Sequence, residues 1–221
     1  MKKILFLGLL ILIFGFGYVC YKRLLPGCAL CSLFQPREKV VVKEKLIVED
    51  RSVILSKISA KAQEAKLYAV AHNLNTHLSF LVNMEQHSGQ KRFYVYDLQK
   101  NHILDTGLVA HGSGKQIFAD RPKFSNINGS GLSSLGKYKI GAKYQGRFGT
   151  AYRLHGLESS NNNAFGRAVV LHSFVCVPND ETYPDPLCNS LGCPMVNTNF
   201  LKKLSHLIDA EKKPIVLWVF N

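Results

Sequence analysis

The chain opens on Lys2 and Lys3 followed by an almost unbroken apolar run, Ile4–Val19. A positive start ahead of such a run is the pattern of a secretory signal peptide or a short membrane anchor. Its exit, Cys20-Tyr21-Lys22-Arg23, lacks a small-x-small cleavage pattern and favours the anchor, with Leu24 and Leu25 able to extend the span past snorkelling Lys22 and Arg23. Basic residues flank both ends, so charge leaves the orientation open. Pro26–Lys45 reads as a basic linker. From about Glu49 to Asn75, Val53, Ile54, Ile58, Ala62, Ala65, Leu67, Ala69 and Val70 recur at helical spacing and predict one long amphipathic helix.

After that the period changes. Leu78–Met84 is a short apolar segment. Phe93–Leu98, the turn Gln99-Lys100-Asn101 and His102–Ala110 predict a hairpin; Lys137–Ile140, Tyr152–Leu157, Ala168–Phe174 and Pro214–Phe220 predict further strands. Asn197–Leu207 carries Phe200, Leu201, Leu204 and Leu207 at helical spacing behind a polar start, a helix signature. Short strands, glycine-rich turns and few helices describe a mainly β domain, a β-sandwich or an open barrel. The chain thus divides into a signal peptide or anchor (1–25), a linker and helix (26–77) and a β-rich domain (78–221).

Lys and Arg number 28 against 15 acidic residues, a formal net charge of +13. This suits an anionic partner such as a membrane surface or an acidic wall polymer. No nucleic-acid-binding motif accompanies the charge, so nucleic acid is not expected. Of the six cysteines, Cys28 and Cys31 form one CxxC without a second pair, which is weak support for zinc or redox chemistry. Cys176 and Cys188 bracket a polar, proline-broken excursion; in an oxidising compartment a bridge between them would staple it, although sequence alone does not fix connectivity. Cys193 is expected to stay free.

The chemistry concentrates in Val169–Val196. An apolar strand ends in His172, the excursion follows, and Asn189-Ser190-Leu191-Gly192-Cys193-Pro194 closes it. A thiol attacks as its thiolate and needs a base, for which His172 is the candidate. Gly192 leaves room for a substrate carbonyl, and the amides of Gly192 and Cys193 are placed to converge as an oxyanion hole. His155 and His111 are rival bases, with lining the cleft the ordinary role for His155. Arg167 and Arg153 are candidates for holding substrate carboxylates. Glu158 could pair with Arg167 rather than do acid chemistry, and its role stays open at this point. No GxSxG elbow, HExxH or phosphate loop is present, and no metal or cofactor is expected.

AHGSG at 110–114, FSN at 124–126, SSLG at 133–136, HGLE at 155–158, NNNAFGRAVVLH at 161–172 and Ser190-x-Gly192-Cys193-Pro194 together resemble the L,D-transpeptidase (YkuD-like) catalytic domain family, over roughly Leu78 to Asn221. Leu191 stands where the wider family has a His. The resemblance implies Cys193 as nucleophile, His172 as base, the backbone carbonyl of Ser173 as the group orienting the imidazole, and Asn189 and Ser190 flanking the substrate turn. It implies a thioester acyl-enzyme on peptidoglycan stem peptides, resolved by an amine into a 3→3 cross-link. The alternatives are resolution by water, as an L,D-carboxypeptidase or endopeptidase, and a non-catalytic wall-binding module. It also implies an exported catalytic domain in the cell envelope, tethered or secreted.

Overall fold

The computed structural model describes residues 37–221 except 115, 117 and 120, with side chains from residue 50 onward. The apolar start and the CxxC at Cys28 and Cys31 lie outside the described residues. Among those described, no helix is long and apolar enough to cross a membrane. The chain falls into two compact units, Met1–Val53 and Ile54–Asn221, and every strand belongs to the second.

A helix, α1 (Arg37–Ala71), begins inside the stretch whose composition suggests a linker. Among the described residues nine strands and one more helix follow: β1 (Leu78–Asn83), β2 (Phe93–Asp97), β3 (His102–Gly107), β4 (Val109–Ala110), β5 (Gly136–Gly146), β6 (Gly149–Gly156), β7 (Val170–Ser173), β8 (Met195–Val196), α2 (Thr198–Ala210) and β9 (Val216–Phe220). All nine strands belong to one sheet in the order β3-β2-β1-β9-β5-β6-β7-β8-β4. The border strands β3 and β4 are separated in sequence by Leu108 alone. Two strands joined by one residue cannot lie far apart, so the sheet curls until its edges nearly meet. The result is a nearly closed barrel-like sheet with two helices rather than a sandwich of two sheets.

Alternation divides the apolar side chains between two cores. Phe80, Val82, Phe93, Val95, Tyr138, Leu154, Leu171, Leu217 and Val219 fill the inner one, closed by Phe200, Leu201 and Leu204 of α2. Asn197 caps that helix, its side chain accepting from the Asn199 amide. On the outer face Leu81, Tyr94, Tyr96, Val216, Trp218 and Phe220 pack against Ile58, Ala62, Ala65 and Ala69. The spacing of 4, 3 and 4 residues makes one helical stripe, and its alanines let α1 lie close to the sheet. Leu67 and Val70, part of the predicted apolar face, are exposed instead. The buried stripe is therefore narrower than the sequence suggests.

β5 and β6 form a hairpin arm longer than the sequence predicts. Gly146 pairs with Gly149 across a two-residue tip, Arg147-Phe148, and most of the arm from Ala142 to Gly149 is exposed. The excursion after β7 is stapled by a Cys176–Cys188 disulfide. It is also tied to the β1–β2 loop: the Thr182 and Tyr183 amides donate to Gly89 O, and the Leu187 amide donates to Ser88 Oγ.

Candidate active site

Strands β7 and β8 run parallel, with His172 opposite Met195. The chain entering β8 carries Cys193, whose sulfur takes the Val170 amide at 3.5 Å. The sulfur thus lies at the level of the residue two before His172 on the same strand. Residues at i and i+2 share a face and stand about 7 Å apart along a strand. Cys193 is the free cysteine among the described residues and is half-buried.

The His172 ring is buried, and its Nδ1 lies 3.2 Å from the carbonyl of Ser173. A carbonyl only accepts, so this contact places the proton on Nδ1 and leaves the Nε2 lone pair available as a base. Burial holds the imidazole below its ordinary value, with the Ser173 carbonyl opposing. Burial pushes the Cys193 thiol up, opposed by the Val170 amide and the Arg167 charge. Both shifts favour the uncharged forms. At rest near neutral pH the pair is therefore thiol and neutral imidazole, not a preformed ion pair.

The turn before the thiol is held by hydrogen bonds that use up most of its polar groups. Gly192 sits at φ +115°, and an alanine Cβ there would come 2.8 Å from Leu132 O. The Gly192 amide donates to Ser190 Oγ at 3.2 Å, while the Ser190 hydroxyl donates to Cys193 O at 2.6 Å. So the expected pair of converging amides is reduced to one: the Gly192 N–H is spent inside the turn, and only that of Cys193 lacks a partner among the described residues. Ser190 N donates to His111 O, and Ser133 Oγ donates to Gly192 O. Gly112 N in turn donates to Ser133 Oγ, and a Cβ on Gly112 would collide with Gly192 N.

Several side chains take places other than the ones expected. Arg167 does not face open space as a carboxylate holder. Its guanidinium donates to Leu132 O (2.5 Å), Ser125 O (2.9 Å), Ser130 Oγ and Ser134 Oγ (both 3.3 Å), which welds the loops around the thiol together. Glu158 pairs with Lys137 at 2.7 Å instead of with Arg167. Asn189 turns its Nδ2 onto Gln116 O, and Leu191 is 83% exposed. Arg153 lies over the Tyr144 ring at 4.6 Å, on β6 opposite Val170. His155 stacks on Phe165 at 4.8 Å, further along the same strand and away from the thiol. The Asn126 side chain donates to Ser159 O and Asn162 Oδ1, and the Asn163 side chain donates to Asn126 O. The motif segments at 110–114, 124–126, 133–136, 155–158 and 161–172 are thus the loops and strand ends that frame the nucleophile turn.

Two residues escape sequence reasoning. Arg92 is fully buried; it donates to Val109 O, Gln86 O and His111 Nδ1 behind the nucleophile turn. An Arg beside a strand carries no signal of burial. Phe148, at the hairpin tip, lays its ring over His172 (centroids 5.7 Å, planes 22° apart) and edge-on to Phe174. That contact joins positions 24 residues apart through a turn whose reach the sequence does not disclose.

A family profile described as the L,D-transpeptidase catalytic domain matches residues 50–218. No curated protein sequence matches the chain. Among solved structures, an L,D-transpeptidase from Mycobacterium smegmatis is similar at 13% identity and a TM-score of 0.41, over 66% of this chain and 59% of that one. L,D-transpeptidase 1 of Mycobacterium tuberculosis is similar at 13% identity and 0.34, over 65% and 62%. The helical cell shape determining protein Pgp2 of Campylobacter jejuni is similar at 14% identity and 0.39, over 64% and 46%. The chain therefore spans less than two thirds of the length of these structures. Since the profile covers more than three quarters of the chain and includes the whole framework around Cys193, the chain belongs to the L,D-transpeptidase catalytic domain family.

Proposed function

We propose that the protein is a cysteine acyltransferase that joins peptidoglycan stem peptides by 3→3 cross-links. The observation that carries this reading is the free Cys193 sulfur beside Val170, on the strand whose His172 has its Nδ1 turned to the Ser173 carbonyl. His172 Nε2 takes the thiol proton as the sulfur adds to the carbonyl of the third stem residue. The Cys193 amide faces the developing oxyanion. The imidazolium returns its proton to the leaving nitrogen, the terminal D-residue departs, and a thioester remains. His172 then deprotonates the amine of a second stem as it attacks the thioester, releasing the thiol and forming the new amide. Because neither partner is charged at rest, the proton moves during attack and not before it. Export across a membrane and tethering by Ile4–Val19 belong to the same proposal, since the stem peptides lie outside the cytoplasm.

The test is intact mass of the protein after exposure to a carbapenem and, in a separate sample without the carbapenem, incubation with purified tetrapeptide stems. One adduct mapping to Cys193, absent in Cys193→Ala, and a thiol-dependent peptide dimer are expected. A tripeptide product without dimer would instead identify a hydrolase. No adduct and no product would leave the wall-binding module.

A further inference from the structure

A row of cations leads away from the thiol along the part of the outer sheet face beyond the helix-covered core. Arg153 stands opposite Val170, the residue whose amide meets the sulfur, and His155 stands opposite Lys139. Directly paired residues share a face, as do alternate residues of one strand. Val170, Arg153, His155 and Lys139 therefore project from the same side.

The far end of the row is a cavity of about 390 Å³ whose polar lining is Lys139, His155, Glu211, Lys212 and Lys213, over an apolar floor that includes Ile140 and Ile215. It lies where the β5–β6 register slips between Ile140 and Lys143. An alanine Cβ at Gly141 would come 2.6 Å from His155 Nε2, so the missing side chain is what lets the ring lie against the strand. Glu211, the carboxylate of this lining, is already engaged by Asn75 Nδ2 (2.7 Å) and His77 Nδ1 (2.8 Å), and Lys213 by Asn73 (2.7 Å). Lys139 and Lys212 have no carboxylate partner among the described residues. The local field is positive enough that, after burial, Lys139 and Arg153 are what hold the His155 imidazole below its ordinary value.

We propose that this cavity is an anion subsite for the substrate of Cys193, taking the carboxylate of a substrate residue two positions before the bond that Cys193 attacks. The inference rests on the reading of Cys193 as nucleophile. One strand spacing, two residues of rise and a second spacing put Lys139 about 12 Å from the thiol. An extended peptide covers about 3.4 Å per residue, so two residues plus a glutamate side chain reach that far. The departing group is one terminal residue, so only the retained side of the substrate is long enough. One planar carboxylate matches two lysines above an apolar floor. A polyanion would meet Glu211.

The test uses the full chain carrying Cys193→Ala, which removes acyl transfer and leaves the row intact. Binding of acetyl-Ala-Glu-Ala-D-Ala and of acetyl-Ala-Gln-Ala-D-Ala is measured by NMR titration, following the His155 ring signals. The Glu peptide is expected to bind at least fivefold more tightly, and the preference is expected to fall below twofold in Lys139→Gln/Lys212→Gln at an unchanged Tm. Equal binding of the two peptides, no binding of either at millimolar concentration, or a preference surviving the double substitution would overturn the subsite. Failure of carbapenem acylation with the preference intact would count against the nucleophile alone.

Discussion

The tightest point of the site is Gly192, and replacing it by alanine measures how much of the nucleophile turn rests on that residue. At φ +115° an L-residue is strained by about 1–3 kcal/mol. The new Cβ would also press to 2.8 Å from Leu132 O and 3.2 Å from the Arg167 Nη2 that donates to it. Crowding of this kind costs about 1–3 kcal/mol more. Gly129 separates the two contributions: at φ +75° its added Cβ meets nothing within 4 Å, so Gly129→Ala carries strain alone, about 1 kcal/mol. For a domain of this size 1 kcal/mol corresponds to roughly 2–4 °C in Tm. Gly129→Ala should therefore lower Tm by about 2–4 °C, and Gly192→Ala, at about 2–6 kcal/mol in all, by about 4–24 °C. Thermal melts are paired with the rate of iodoacetamide labelling at the Cys193 peptide, read by mass spectrometry. That rate should change at least threefold in Gly192→Ala and stay at the parent value in Gly129→Ala. Equal melting of the two variants, with unchanged labelling, would refute the claim that the turn is held by this contact.

The site leads to three other expected outcomes. Phe148→Ala uncovers His172 and relieves the burial that disfavours its protonation; the acid limb of the pH–rate profile for Cys193 acylation should move to higher pH, while Phe148→Trp should keep the parent profile. Replacing Cys176 and Cys188 together by serine opens a loop of sequence separation 12 and should cost about 2–3 kcal/mol, read as a lowered Tm that reductant no longer changes. Arg92→Met removes the guanidinium that donates to the buried Val109 carbonyl, the half-buried Gln86 carbonyl and the His111 ring. Urea unfolding should show a loss of about 3 kcal/mol or more, which Arg92→Lys recovers only in part because one ammonium does not span the three acceptors.

What the sequence discloses depends on how each element meets solvent. β2, β6, β7, β9 and α2 are legible within a few residues. β1 offers only a short apolar segment, because all six of its residues are buried and no alternation survives when both faces are covered. β5 shows a strand pattern over four residues and runs for eleven; its second half is a polar arm in water that looks like loop. β8 has two residues, too few for any period. At the site, the placing of Cys193 beside the strand of His172 is legible from the motif. The partners of Arg167 are not, because a guanidinium offers the same donors to a substrate carboxylate and to four oxygens of its own chain. Burial of Arg92 depends on β4 closing over it, which no local pattern records.

Leu108, alone between the two border strands, ties the pairing of one edge to that of the other. A slip of one residue where β3 meets β2 would feed β4 into its pairing with β8 out of phase. Val109 and Ala110 would exchange sides, and His111 would leave the carbonyl-to-amide contact that holds Ser190. The nucleophile turn therefore audits the whole circumference of the sheet: it can assemble only in a chain whose every ladder, from β2 round to β8, is in step.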